Sequence, residues 1–61
     1  MKTNNKQIAI NKAAKLNEKL NNEGASGPRY TVAEDIRTGK YVAARITDIY
    51  NSQYLRLTLN N

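Results

Sequence analysis

The sequence predicts an α+β domain, one N-terminal helix packed on a three-stranded antiparallel β-meander (αβββ) and completed by dimerisation. Two periodicities and a pair of turn signals lead there. Apolar residues recur at helical spacing before Gly24, and alternate with polar ones from Arg29 to Leu59. Arg37-Thr38-Gly39 and Asn51-Ser52 then divide the alternating half into three runs, about 29–36, 40–50 and 53–59. Residues 1–61 form a single small domain, with the helix at about 5–22 and a linker at 24–28.

The helix comes first. Thr3 to Asn5 offers three capping side chains, and Asn4 with Gln7 fits the spacing of a capping box. Ala9, Ala13, Leu16 and Leu20 follow in steps of four, three and four, which line one stripe, and Ile8 and Ile10 widen it. Gly24 is the C-terminal stop. Asn11, Asn17, Asn21 and Asn22 are poor helix formers, so tertiary packing must hold this helix.

Strand register follows from the turns, because a slip of one residue reverses every side chain. A three-residue loop with Gly39 in the left-handed conformation sets Val32 opposite Ala44 and Tyr30 opposite Ile46. A two-residue Asn51-Ser52 loop sets Ile46 opposite Leu57 and Ala44 opposite Leu59. The expected buried face holds Tyr30, Val32, Val42, Ala44, Ile46, Leu55, Leu57 and Leu59, with Glu34 and Asp48 at its ends and the helix laid across it. On the opposite, open face Arg29, Thr47 and Arg56 form one row and Thr31, Arg45 and Thr58 the next, flanked by Tyr41, Ile49 and Tyr54.

Size and composition bound the function. With 61 residues the chain buries only about 60% of its unfolded surface. Without cysteine or histidine it has neither a disulfide nor a zinc site to compensate. Association with further copies is the remaining source of buried area, through the unblunted edge of the Leu55 strand or by helix exchange. The polar opening stretch, Lys2 to Gln7, and the short apolar runs speak against a signal peptide or a membrane span. A cytoplasmic setting is expected. Ten Lys and Arg against five Asp and Glu give a formal charge of +5, which favours polyanionic partners, nucleic acid or an acidic protein surface.

Catalysis is not expected. The usual general base and the best nucleophile are absent, and Glu34 and Asp35, adjacent on a strand, point to opposite faces. No cofactor, metal or small-molecule substrate is implied. Gly24-Ala25-Ser26-Gly27-Pro28 follows a helix and precedes a strand, the reverse of a phosphate-binding loop, and reads as a connector. Two basic surfaces carry the functional expectation. Lys12, Lys15 and Lys19 share one flank of the helix, as a phosphate-binding stripe or as an ordinary solvated flank. Arg29, Arg45 and Arg56 with Tyr41 and Tyr54 stand on the sheet face, as guanidinium forks for phosphates with rings for unpaired bases, as an ordinary solvated sheet face, or as a self-association surface. The expected function is that of a small nucleic-acid-binding accessory or regulatory protein. The alternative is a protein-binding inhibitor or adaptor, of phage or mobile-element type, acting through the sheet face or an edge.

Overall fold

Asn5 starts the first helix, α1 (Lys6–Asn22), by accepting the Gln7 amide on its side-chain oxygen at 2.9 Å. The cap is therefore Asn5. Asn4 and Gln7 form no capping box, and the side-chain Nε2 of Gln7 donates to Asn11 Oδ1 instead. At the far end Gly24 adopts φ 67°, with Ala25 N–H donating to Leu20 O and Gly24 N–H to Asn21 O. That pair of bonds is a Schellman motif, and a left-handed residue without Cβ is what it requires. Residues 3–58 of the chain are described by this computed structural model.

Three strands and a second helix follow, β1 (Tyr30–Asp35), β2 (Lys40–Arg45), α2 (Ile46–Asn51) and β3 (Leu55–Leu57). The sheet is antiparallel but is not a meander. Its order is β2-β1-β3, so the first strand is central and the last crosses to its far side. Two expectations are overturned here. Residues 46–50 do not continue the second strand, and Asn51-Ser52 ends a helix rather than turning a hairpin. Ile46, Ile49 and Tyr50 stand at i, i+3 and i+4, a helical spacing that overlies the alternation of Val42, Ala44 and Ile46. Ser52 closes the segment, its N–H donating to Ile49 O while its Oγ accepts from the amides of Tyr54 and Leu55.

The first hairpin is also longer by one residue than the turn signal suggests. Asp35 Oδ1 accepts the Arg37 amide at 2.9 Å, and the Asp35 carbonyl accepts from Thr38 and Gly39. Thus the turn begins at Asp35 and takes Ile36 with it. Val32 lies opposite Ala43 instead of Ala44, and Tyr30 opposite Arg45 instead of Ile46. Tyr30, Val32, Glu34, Tyr41, Ala43, Arg45 and Arg56 consequently share one face, while Ala33, Asp35, Val42, Ala44, Leu55 and Leu57 share the other.

Both faces are covered. α1 packs on β1 and β2, α2 packs on all three strands, and the two helices do not touch. β2 and β3 run parallel to each other across β1, so α2 is a crossover, and the right-handed sense of such connections puts it on the Ala33 face. α1 then takes the Val32 face. Consistent with two cover layers, adjacent residues of β1, Val32 and Ala33, are both buried, together with Ala9 and Ala13 of α1 and Ile49 of α2. Each large apolar side chain buried this way contributes roughly 1.5–3 kcal/mol. Ile49, expected on the open face, is in the core, whereas Ile46, expected inside, is 36% exposed. Leu59 lies outside the described residues.

A backbone bridge and a side-chain amide finish the sheet where strands are missing. Thr3 pairs with Tyr41 through bonds of 2.9 and 2.7 Å and covers one end of the outer edge of β2. On the other side of β1, Asn17 Oδ1 accepts from Tyr30 N–H at 2.6 Å and its Nδ2 donates to Tyr30 O at 2.9 Å. The amide of Asn17 thus stands in for a peptide group of a neighbouring strand, and ties α1 to the first residue of β1.

Candidate nucleic-acid interface

The eight basic and aromatic side chains singled out in the sequence do not assemble into one surface. With α1 on β1 and β2 and α2 on the other face, no open platform spans all three strands. Arg29 is turned to a structural task. Its Nη2 donates to Ala25 O at 2.9 Å, its Nη1 to Gly27 O and its Nε to Asn21 Oδ1, both at 3.1 Å, which staples the linker to the last turn of α1. A cation beside helix C-terminal carbonyls is also electrostatically favourable.

Arg45 faces α1. Its guanidinium carbon lies 5.3 Å from the centroid of the Tyr30 ring, and its Nε is buried with no hydrogen-bond partner among the described residues. Arg56 is exposed, but Nη2 is held by Glu34 Oε1 at 2.6 Å, in a cross-strand row that also contains Tyr41. Tyr54 is 37% exposed and one face of its ring is covered by the Arg37 guanidinium, 3.7 Å from the centroid.

Arg37 was not singled out in the sequence, although Asp35-Ile36-Arg37 carries the signal of an aspartate-initiated turn. Its guanidinium approaches both oxygens of the fully buried Asp35 carboxylate at 3.4 Å. That hydrogen bond holds the Arg37 pKa above its ordinary value, against a smaller opposing effect of desolvation. Asn17, equally unforeseen, has no sequence signal beyond being a polar residue on the flank of an apolar stripe.

What does assemble is the lysine flank. Lys12, Lys15 and Lys19 are all exposed on α1, and none forms an ion pair among the described residues. A helix advances 1.5 Å per residue, so the three stems are spaced by about 4.5 and 6 Å along a straight rigid line. Glu18 is exposed on the same helix, three residues and about 60° round the axis from Lys15, but forms no ion pair with it among the described residues. Ile8, 45% exposed, continues the line, and with Asn11, Lys12 and Lys15 it borders a shallow depression of ≈ 200 Å³. A second depression, of ≈ 440 Å³, is bordered by Asp48, Asn51, Ser52, Gln53 and Tyr54 and carries no basic side chain.

Among the described residues there is no cluster of carboxylates that could hold a metal ion, and no helix is long and apolar enough to cross a membrane. No protein-family model matches the chain, and no similar protein was found among curated proteins or among solved structures.

Proposed function

We propose that the protein is a small, basic, non-enzymatic nucleic-acid-binding protein of accessory or regulatory type that docks on phosphates through the outward face of α1. The observation that carries this reading is the row of three exposed lysines that form no ion pair among the described residues. Their ammonium groups remain available to phosphates, and the formal charge of +5 steers the chain towards a polyanion. The arginines contribute differently. Arg29, Arg37 and Arg56 are bonded within the fold, so they shape the surface more than they offer forks to a ligand.

The test is an electrophoretic or anisotropy titration across salt, with wild type and the triple variant Lys12→Gln, Lys15→Gln, Lys19→Gln. Binding should fall steeply with salt, and each lost phosphate contact should reduce the log–log slope by about 1. An unchanged affinity in the triple variant would remove α1 as the interface.

A second reading draws on another patch. Ile36 and Tyr54, 55% and 37% exposed, are joined by the bond from Ile36 N–H to Tyr54 O, with Arg37 stacked on the ring. An apolar knob beside a guanidinium suits a protein contact, as in an inhibitor or adaptor. Under that reading Ile36→Asp abolishes capture of the partner while the lysine variant retains it.

A further inference from the structure

Building on the phosphate-docking reading, we infer that the nucleic acid taken by α1 is double-stranded and is held by its backbone without base stacking. Binders of single strands set unpaired bases against open aromatic rings. The four tyrosines of this chain do not provide them beside the lysines. Tyr30 is half-buried on the α1 side of the sheet with Arg45 against its ring, and Tyr41 is half-buried in the row with Glu34. One face of Tyr54 is occupied by Arg37 at 3.7 Å. Tyr50, 72% exposed, does have an open ring. It belongs to α2, however, on the layer opposite the lysines, and α2 also carries the carboxylate of Asp48, which borders the same depression as Tyr54. A base stacked there would bring its phosphate towards that negative charge.

Geometry on α1 favours a duplex for a further reason. Three charges on a rigid rod fit a strand whose phosphates are already fixed in space, whereas a flexible strand must first lose conformational freedom to match them. Lysine is a point charge without a required approach direction, so such a contact carries no sequence information. Two exposed amides on α1, Gln7 and Asn11, are bonded to each other at 3.0 Å rather than presented as a free pair. The shared chemistry is the double-stranded phosphodiester backbone, of DNA or of RNA.

Fluorescence anisotropy with labelled duplex DNA, duplex RNA and single-stranded DNA, each of about 20 nucleotides per strand, separates the possibilities over roughly 50–200 mM salt. At the low end, at least one duplex should bind about ten times more tightly than the single strand, with a log–log slope of about −2.7 for three phosphate contacts. Which duplex binds identifies the source. The triple lysine variant should lose most of this affinity, and Tyr50→Ala should change nothing. A single strand bound as tightly as either duplex, or binding weakened by Tyr50→Ala, overturns the inference. Failure of all three probes to bind, or duplex binding indifferent to the lysines, overturns the phosphate-docking reading beneath it.

Discussion

The side-chain amide of Asn17 bonds both backbone groups of Tyr30 and so ties α1 to the sheet. In Asn17→Ala both groups lose their partner in a half-buried setting, which costs about 1–3 kcal/mol. For a domain this small each kcal/mol lowers Tm by roughly 4–8 °C, so a thermal melt followed by circular dichroism resolves the effect. An unchanged Tm would show that the amide is dispensable. Asp35 and Arg37 make a contrasting pair. The Asp35 carboxylate is fully buried and accepts a backbone amide, so Asp35→Ala should destabilise by roughly 1.5–3 kcal/mol. Arg37→Ala removes an exposed partner at 3.4 Å and leaves that amide bond intact, so in urea denaturation of both variants it should cost less than Asp35→Ala. Equal losses in the two variants would mean that the ion pair, and not the turn, is what matters. The role of Asn17 was not legible beforehand, because it depends on which residue lies across a gap, whereas the turn at Asp35 had a local signal in Asp35-Ile36-Arg37.

At the scale of elements, the helix was readable and the sheet only in part. α1 begins one residue later than its spacing indicates and ends at the expected Asn22, since cap, stripe and terminal glycine all agree. The strands at 30–35, 40–45 and 55–57 fall within the runs read from alternation, but their partners do not. One reason is the turn at Asp35. Side-chain capture of the Arg37 amide starts it earlier than Arg37-Thr38-Gly39 implies and shifts the register by one residue. The other is Ile46 to Asn51, too short a stretch for its two periodicities to be told apart. Once that stretch coils, β3 reaches the free side of β1 and the meander is lost. Gly39, at φ 73°, is the residue on which this hairpin depends. Gly39→Ala should cost about 1–2 kcal/mol, measured by chemical denaturation, from the strain of a left-handed Cβ residue. A variant as stable as the parent would mean that the loop relaxes to another turn.

For the whole molecule, the consequence of that rearrangement is a sheet with a helix on either side, and the exposed row of basic side chains lies on α1. The arginine platform depended on an exposed sheet back, whereas the lysine flank needed only the helix, which is why the second expectation keeps its geometry and the first does not. Self-association through β3 gains little from the edge itself. The strand has three residues, and the Leu55 amide is already bonded to Ser52 Oγ. Sedimentation equilibrium at tens of micromolar should accordingly give the mass of one chain, and a dimer that survives β3 edge variants such as Leu57→Pro would locate the contact elsewhere.

Salt dependence of duplex binding, compared between the wild type and the Lys12, Lys15 and Lys19 triple variant, tests the role of α1 most directly. The wild type should lose about 40-fold in affinity between roughly 50 and 200 mM salt, and the variant should bind weakly with a nearly flat dependence. Equal slopes for the two proteins, or a wild type that ignores duplexes at low salt, would contradict it.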